Sequence, residues 1–330
     1  MENAPLPRFV PPALATLREV PPNGPDWEHE IKFDGYRIQA RLNHGKLRLL
    51  TRKGLDWTDK FPNVAAAVAQ LPAETALIDG EVVVEDKHGV SDFSLLQAAI
   101  KDGSRDRFVY HVFDLLYRDG RDLRALPLRE RRDELAQLLA KRAGGVIRFS
   151  ENFGKDGPLA LRKACRLKLE GIVSKQIDAP YRSGRSEAFI KTKCSHAQEL
   201  VVGGYSPSKA LVRAIGALAV GYYDRGRLIY AGRIGTGYSR DVAKELWRRL
   251  HPLEIATPPF ASLPDSKARR GDMRWVKPSL VVESNLRGWT ADGLVRQAAF
   301  KGVREDKPAK EVVRESPVES ARREAHGEEN

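Results

Sequence analysis

The chain has 330 residues, with 42% hydrophobic and 30% charged side chains, a composition that allows packed cores and excludes global disorder. Its 56 Lys and Arg residues against 44 Asp and Glu give a formal charge of +12, which fits either a polyanion partner or a merely soluble basic surface. Two cysteines exclude a disulfide scaffold and a four-cysteine zinc site, and no apolar run reaches the ~20 residues that span a bilayer.

The first part of the chain mixes strand and helix patterns. Residues 1–24 are Pro-rich and weakly periodic, which predicts an extended lead-in that packs on the surface. Alternating or apolar runs then predict strands over residues 36–42, 47–51, 76–85, 108–117, 172–176 and 188–194. Helices are predicted from Phe61-Pro62 onward and over residues 93–100, 128–142 and 158–169, with Gly171 closing the last.

The pattern changes near residues 195–200. Beyond that point, short strands over residues 199–205, 215–223, 227–234 and 275–286 surround one helix over 239–250. This spacing predicts a small barrel of the OB type. We therefore expect one domain over residues 1–196 and a barrel over 197–306. Residues 307–330 have few large apolar side chains, which predicts a disordered tail or a linker.

Charged clusters interrupt the apolar strands of the first domain. Lys32 is predicted in a turn between two strands, three residues before Gly35, and Lys191 and Lys193 alternate so that they face the same side of a strand. Polar groups inside apolar strands cost stability unless something satisfies them, so the clusters together suggest one shared anionic site. The clusters are Glu30–Arg37, Arg52–Gly54, Asp79–Glu81, Glu170–Lys175 and Lys191–Lys193.

The order of these clusters resembles the motifs of the covalent nucleotidyltransferases, the polynucleotide ligases and mRNA capping enzymes. Within them the chain is most similar to an ATP-dependent DNA ligase, and in detail to the ligase module of bacterial ligase D, which acts in non-homologous end joining. Residues 232–238, 275–278 and 300–307 are similar to the barrel motifs of that module. Phe189 stands where the family usually carries Trp. The length leaves no room for the polymerase and phosphoesterase domains that often accompany the module, so we expect a stand-alone ligase or an excised module.

The resemblance implies an α+β fold, with an adenylation domain of antiparallel sheets and flanking helices followed by an OB-fold barrel. It also implies three steps: adenylylation of a lysine, transfer of AMP to a DNA 5′-phosphate, and attack by the 3′-hydroxyl. Lys32 would be the nucleophile, Lys191 and Lys193 would stabilise the α-phosphate with Lys175 nearby, and Arg304 with Lys307 would close over the triphosphate. The barrel would then swing away about a hinge near residues 193–199.

The remaining site residues implied by the resemblance divide among the nucleotide, a metal and DNA. Glu30 and the Ile31 backbone would contact adenine, Phe113 would stack on it, and Glu81 would contact ribose. Glu170 would bind Mg²⁺ or Mn²⁺, with Glu81 and Asp34 as further metal candidates. Arg37 and Arg52 would contact phosphate or ribose at the nick, and Arg233 and Lys277 would contact the DNA. Purely structural roles stay open as alternatives: core packing for Phe113, a salt bridge for Glu170 and a solubilising surface position for the arginines.

Three functional readings follow. The first is an ATP-dependent DNA ligase that seals 5′-phosphate/3′-hydroxyl breaks in double-strand break repair. The alternatives are an RNA ligase or capping-type nucleotidyltransferase, and a non-catalytic basic DNA-binding module. We expect a monomer that acts on nicked or broken duplex DNA and does not bind a membrane. We expect it in the cytoplasm of a bacterium, associated with the nucleoid. A Ku-like end-binding protein and a repair polymerase are the further partners that the resemblance suggests.

Overall fold

The computed structural model describes residues 4–140, 145–194, 196–263, 273–290 and 292–315. The N-terminal strands are β1 (Ala13–Leu17), β2 (Trp27–Ile31), β3 (Tyr36–Asn43), β4 (Lys46–Thr51), β5 (Thr75–Val83), β6 (Val109–Arg118), β7 (Arg121–Asp122), β8 (Ile147–Phe149), β9 (Gly171–Gln176) and β10 (Gly184–Lys193). The first sheet has the order β1-β10-β9-β2, and the second has the order β4-β3-β5-β6-β7 with β8 beside β6. All six strands predicted for this part of the chain are present.

Four helices pack on these two sheets: α1 (Pro62–Val68), α2 (Phe93–Lys101), α3 (Leu128–Leu139) and α4 (Gly157–Arg166). Helices α2 and α4 begin after aspartate N-caps. The Asp92 carboxylate accepts the Leu95 N–H, and the Asp156 carboxylate accepts the Leu159 N–H. The buried faces of α1, α2 and α3 join the apolar core of the second sheet. These helices thus cover the apolar residues of the second sheet.

The second half of the chain folds around one further sheet. Its elements are β11 (His196–Pro207), β12 (Ile215–Asp224), β13 (Arg227–Ile234), α5 (Arg240–Leu250), β14 (Glu254–Ile255), β15 (Arg274–Val276), β16 (Val281–Leu286), β17 (Gly288–Trp289), β18 (Val295–Arg296) and β19 (Ala299–Val303). The long strand β11 pairs with β12 on one side and with β15 and β16 on the other, and β16 also pairs with β19. Helix α5 buries Leu246 and Leu250 in the apolar core of the barrel. The α+β class and the OB-fold barrel are confirmed, and the boundary predicted at residues 196 and 197 lies at the start of β11.

The lead-in segment differs from its prediction. Ala13–Leu17 forms a strand parallel to β10, and Val10 and Ala13 are each only 2% exposed. The Gln39 side chain accepts the Val10 N–H at 3.0 Å and donates to the Val10 carbonyl at 3.1 Å. Because the partner strand comes much later in the chain, the local periodicity of residues 1–24 carries no sign of this pairing.

Helix α4 ends earlier than predicted. It ends at Arg166, and Lys168 takes the left-handed φ of 59° that breaks the helix. Gly171 instead begins β9, where a Cβ would overlap the carbonyl oxygen of Thr192. Cys165 and Cys194 form a disulfide with their Cα atoms 5.2 Å apart, which ties the last turn of α4 to the end of β10.

The segment after the barrel is ordered further than predicted. Lys307–Glu315, which we call the C-terminal strap, contains a short 3-10 helix at Ala309–Glu311. Val312 is fully buried against the barrel, and the Tyr223 N–H donates to its carbonyl at 2.7 Å. The prediction of disorder from residue 307 is therefore wrong for the strap, and residues 316–330 lie outside the described residues.

The barrel is closed against the N-terminal sheets. The Lys301 ammonium of β19 lies 2.8 Å from the Asp34 carboxylate, and the Gln97 side chain of α2 hydrogen-bonds the backbone of Val303. The Arg304 guanidinium lies 4.6 Å from the centre of the Phe93 ring. These contacts place the end of the barrel over the crossing from β2 to β3. None of the helices within the described residues is long and apolar enough to cross a membrane.

Candidate active site

A cleft between the two N-terminal sheets and the closed barrel collects most of the predicted site residues. Those that line it are Glu30, Ile31, Lys32, Asp34, Arg37, Arg52, Glu81, Phe113, Glu170, Lys175, Lys191, Lys193, Arg304 and Lys307. Arg233 and Lys277 do not line it, since both lie exposed on the barrel surface. The structure therefore brings the predicted nucleotide residues together and separates them from two of the predicted DNA residues.

Lys32 lies where the chain leaves the first sheet for the second. Its N–H donates to the Gly171 carbonyl at 3.0 Å, and its Nζ lies 2.6 Å from Oε2 of Glu170. Burial opposes the charge, but the Glu170 carboxylate, helped by Glu283 and Asp34, outweighs it and raises the pKa of Lys32. An amine must be unprotonated to attack, so the nucleophilic role predicted for Lys32 requires that this carboxylate be otherwise engaged.

Lys191 and Lys193 form a paired cation site at the end of β10. Both ammonium groups face the Glu315 carboxylate of the strap, at 2.5 Å and 3.1 Å respectively. Burial lowers the pKa of Lys191 to about 8, although Glu315 acts in the opposite direction. The alternation along the strand thus places both ammonium groups on the same side, as predicted, whereas their predicted contact with the α-phosphate stays a prediction.

Glu30 lies at the centre of a buried network that the sequence prediction missed. Its carboxylate is 2% exposed and accepts from Arg132 at 2.5 Å, Lys175 at 2.7 Å and the Ser150 hydroxyl at 2.9 Å. Its predicted contact with adenine stays a prediction, and it would have to coexist with these three donors. Arg132 lies on the buried face of α3, among leucines, and a charge on such an apolar face was the signal that could have found it.

Phe113 of β6 points into the cleft and not into the apolar core. The Lys175 ammonium lies 4.4 Å and the Arg37 guanidinium 5.2 Å from the centre of its ring. Both distances are within the range of cation–π attraction. Plain core packing is therefore not its role, and its predicted stacking on adenine stays a prediction.

Arg37 and Asp79 form a bidentate ion pair. The guanidinium donates to the two Asp79 oxygens at 3.0 Å and 2.7 Å and to the Ala13 carbonyl at 2.7 Å. The Tyr181 hydroxyl donates to the same carboxylate at 2.7 Å. The principal donors of Arg37 are thus engaged within the protein, and its predicted contact with phosphate or ribose at the nick stays a prediction.

Glu81 and Arg52 line the cleft without a close partner of their own. Among the described residues, no hydrogen-bond donor reaches the Glu81 carboxyl and no acceptor reaches the Arg52 guanidinium. Burial raises the pKa of Glu81 to about 8, despite the nearby cations Lys32 and Arg304. Burial also lowers the pKa of Arg52. Two partly buried polar groups that face a cleft without partners are suited to contact a polar ligand.

The barrel contributes a second ion network to the cleft. Arg304 donates to Asp306 at 3.0 Å and 2.9 Å and to Glu283 at 3.2 Å. Lys301 bridges Glu283 and Asp34 at 2.9 Å and 2.8 Å. Burial opposes ionisation of Glu283, but Arg304 and Lys301 lower its pKa to about 2. The sequence prediction included Arg304 and Asp34, and it placed Lys301 in the barrel motif at residues 300–307 without giving it a role. It missed Glu283, which no local pattern marks.

The donor set beside Lys32 fits a hard divalent cation. No three His, Cys, Asp or Glu side chains of the described chain gather into a metal cage. Asp34 nevertheless lies close enough to Glu170 for the two charges to interact, and burial with Glu170 and Glu283 raises the pKa of Asp34 to about 6. Magnesium typically binds through one or two carboxylates and completes its shell with substrate phosphates and water. Glu170 is the carboxylate nearest to Lys32, whereas Asp34 is engaged by Lys301.

Two family models match most of the chain. The model described as ATP dependent DNA ligase domain matches residues 14–193, and the model described as ATP dependent DNA ligase C terminal region matches residues 212–307. The first range contains both N-terminal sheets from β1 to β10, and the second contains most of the barrel.

Relatives and solved structures agree with these models. The multifunctional non-homologous end joining protein LigD of Pseudomonas aeruginosa is 42% identical over 319 residues, which are 96% of this chain and 38% of that protein. The LigD protein of Mycobacterium tuberculosis is 36% identical over 292 residues, 88% of this chain and 37% of that protein. The structure of mycobacterial DNA ligase D complexed with ATP and MES superimposes with a TM-score of 0.68 at 34% identity, and covers 92% of this chain and 98% of that one. The chain thus spans about two fifths of the curated relatives that it matches.

Proposed function

The chain belongs to the ATP-dependent DNA ligases, and from that premise we propose that it seals 5′-phosphate/3′-hydroxyl breaks in duplex DNA through a lysyl-AMP at Lys32. The matches to LigD bear out the resemblance to the ligase module of ligase D. One observation carries the assignment of the nucleophile. Lys32 lies in the same cleft as Lys191 and Lys193, which together bind the Glu315 carboxylate. An amine that attacks a phosphate needs such an anion-binding site beside it.

The first step joins Lys32 to the nucleotide. Its Nζ attacks the α-phosphorus of ATP, a nitrogen–phosphorus bond forms, and the bond to pyrophosphate breaks. Lys191 and Lys193 would stabilise the negative charge that develops on the phosphate, and Arg304 and Lys307 of the closed barrel would hold the leaving pyrophosphate. The proton of the Lys32 ammonium must leave to solvent before attack, and engagement of its partner, Oε2 of Glu170, by a metal would favour that loss.

We assign the metal site to Glu170, with Asp34 and Glu81 as secondary candidates, for Mg²⁺ or Mn²⁺. A bound divalent cation would neutralise Glu170 and charge on the phosphates, which would lower the pKa of Lys32. Glu81 and Phe113 are placed to contact the ribose and the adenine. Arg52, which has no close acceptor within the described residues, is the cleft arginine best placed for a phosphate.

The second and third steps need an open molecule. AMP passes to the 5′-phosphate of the break, and the 3′-hydroxyl then attacks that phosphate and releases AMP. The closed barrel covers Lys32, so DNA reaches it only after the barrel has moved, as lids and hinged domains do. We propose a hinge near residues 193–199, with Arg233 and Lys277 as DNA contacts on the barrel.

The test is adduct formation with ATP labelled at the α-phosphate. We expect the wild-type protein and Lys46→Ala to form a labelled adduct and Lys32→Ala to form none, because Lys46 is an exposed lysine of the β3–β4 hairpin. Label on Lys32→Ala, or none on the wild-type protein, would contradict the assignment. An adduct with labelled GTP alone would support the capping-type alternative, and DNA binding without any adduct would support the non-catalytic module.

A role in end joining goes beyond the single break. The relatives named for non-homologous end joining are longer than this chain, so the wider activity, a Ku-like partner, a repair polymerase and a monomeric state are also proposals. We expect end joining of linear duplex DNA to rise when a Ku-like protein is added, while sealing of a simple nick stays unchanged. Equal stimulation of both substrates would contradict a recruiting partner.

A further inference from the structure

The C-terminal strap places a carboxylate directly on the paired lysines of the cleft. Oε1 of Glu315 lies 2.5 Å from Nζ of Lys191, and Oε2 lies 3.1 Å from Nζ of Lys193. All three side chains are less than a fifth exposed. The Glu315 N–H also donates to Oε1 of Gln198 at 2.9 Å, so both the backbone and the side chain of this residue are fixed.

The strap is anchored on the barrel. Val312 is buried in a cluster with barrel residues, its carbonyl accepts the Tyr223 N–H, and Nε2 of Gln198 donates to the Val313 carbonyl at 3.1 Å. The Arg314 guanidinium lies 4.6 Å from the centre of the Trp289 ring. Glu315 is therefore carried by the barrel into a site that belongs to the first sheet.

A carboxylate and a phosphate would bind to the same two ammonium groups of this site. Each offers negatively charged oxygens to the two ammonium groups, and such charge-assisted hydrogen bonds are the strong ones. A phosphate brought to the same lysines would also face the Glu315 charge across a few ångströms of partly buried space, where repulsion is strong. The two anions therefore exclude each other from the lysine pair.

We propose that Glu315 is an internal competitor of the ATP phosphates, which must leave Lys191 and Lys193 before the nucleotide can react. The identity of the competing ligand rests on the proposed function, whereas the competition for an anion does not. The contact has two consequences. It gives two buried ammonium groups a partner while the cleft holds no nucleotide. It also lowers the apparent affinity for ATP, which equals the intrinsic affinity multiplied by the fraction of molecules in which the strap is displaced.

The decisive variant is Glu315→Gln, which keeps the shape of the side chain and removes its charge. After any bound AMP has been removed with pyrophosphate, lysyl-AMP formation is measured in single turnover against ATP concentration. We expect the ATP concentration for half-maximal rate to fall roughly tenfold, while the rate at saturation stays within about twofold. Glu315→Asp keeps the charge and should fall between the wild-type protein and Glu315→Gln.

The matched control is Glu311→Gln in the same strap. Glu311 is half exposed and pairs with Lys53 outside the lysine site, so the change removes the same charge without freeing the cleft. We expect its half-maximal ATP concentration to equal that of the wild-type protein. An unchanged or raised value in Glu315→Gln would overturn the proposal, since a strap that only holds the barrel closed would weaken nucleotide use when lost.

A binding measurement separates this proposal from the proposed function. Tripolyphosphate, titrated by calorimetry into the wild-type protein and the variants, reports anion binding without any chemistry. Tighter binding to Glu315→Gln than to the wild-type protein supports the competition even where no lysyl-AMP forms. Equal binding overturns it even where adenylylation proceeds. If Glu315→Gln does not fold, tighter binding to Glu315→Asp than to the wild-type protein supports the proposal, and equal binding overturns it.

Discussion

Two glutamates of the cleft show how strongly the surroundings of a residue decide its state. The Glu30 carboxylate accepts hydrogen bonds from Arg132, Lys175 and Ser150, so its oxygens are engaged inside the protein. The Glu81 carboxyl has no donor among the described residues, and burial raises its pKa from 4.5 to about 8. Glu81 is thus protonated at neutral pH in the ligand-free molecule, and its OH can donate to a ligand oxygen.

The raised pKa of Glu81 makes a prediction about stability. A carboxyl that binds its proton more tightly in the folded state lowers stability progressively as pH rises from about 4.5, and fully above about 8. We expect Glu81→Gln to be nearly as stable as the wild-type protein near pH 5 and roughly 2–5 kcal/mol more stable near pH 9, since the raised pKa corresponds to at most about 5 kcal/mol and the partial exposure of the side chain reduces this value. Urea denaturation at pH 5, 7 and 9 measures this difference.

The control for that series is Glu74→Gln, because the Glu74 side chain is 83% exposed. It should follow the wild-type protein at every pH. A stability difference between Glu81→Gln and the wild-type protein that is the same at pH 5 and pH 9 would refute the buried, protonated carboxyl.

Motif spacing predicted the cleft residues that come from compact local segments, such as Lys32 with Glu30 and the pair Lys191 and Lys193. It did not predict the partners that fix their state. Arg132, Lys301 and Glu315 come from a helix, a barrel strand and the strap, each distant in sequence from the group that it contacts. Such pairings depend on the tertiary fold, so a single sequence carries little information about them.

At the scale of elements, the turn between β2 and β3 leaves no room for a side chain at Gly35. Gly35 passes so close to β5 that a Cβ would overlap the Val82 carbonyl oxygen and lie 2.8 Å from a methyl group of Val83. The turn carries Lys32 at its start, and Arg304 donates to the Gly35 carbonyl at 3.4 Å. The position of Lys32, the proposed nucleophile, therefore depends on the absence of a side chain at Gly35.

We expect Gly35→Ala to destabilise the protein by roughly 1–3 kcal/mol, because the added methyl group forces strand β3 away from β5. Lysyl-AMP formation should fall in parallel, since Lys32 moves with the turn. Thermal denaturation and the adduct assay measure the two effects. Gly235→Ala is the matched control for stability, since its methyl group would meet only Ala217 at 3.8 Å. Equal stabilities of the two variants would contradict the close approach.

Periodicity was sufficient for the strands and helices whose pattern is local. Tyr36–Asn43 alternates clearly, and its prediction is confirmed. The same signal failed for Ala13–Leu17, whose parallel partner is β10, and for the strap, which is ordered because Val312 fits the barrel and not because of its own pattern. Short segments of weak periodicity are ordered by the partner that covers them.

At the scale of the whole molecule, one ammonium group bridges carboxylates of the two halves. Lys301 lies between Asp34 of the N-terminal turn and Glu283 of the barrel, at 2.8 Å and 2.9 Å. All three side chains are less than 15% exposed, so removal of the cation leaves two carboxylates to repel each other in a poorly hydrated space.

We expect Lys301→Met to open the molecule. Loss of one partner from a buried charge network costs about 3–5 kcal/mol, and separation of the barrel from the N-terminal sheets relieves most of it. Small-angle X-ray scattering of the ligand-free protein should give a larger radius of gyration than the wild-type protein. Lys310→Met, an exposed strap lysine, should not change it. An unchanged radius for Lys301→Met would show that other contacts keep the barrel closed.

The internal ion pairs of the cleft also decide what an approaching polyanion encounters. Lys32, Lys175, Lys191 and Arg304 each face a carboxylate of the chain itself. Paired charges cancel at a distance, and salt screens the remainder within about 8 Å. The long-range field of the ligand-free molecule therefore comes from outward-facing cations, such as Arg233 and Lys277 on the barrel. For the duplex substrate that we propose, these outward-facing cations and not the paired cations of the cleft would supply the long-range attraction.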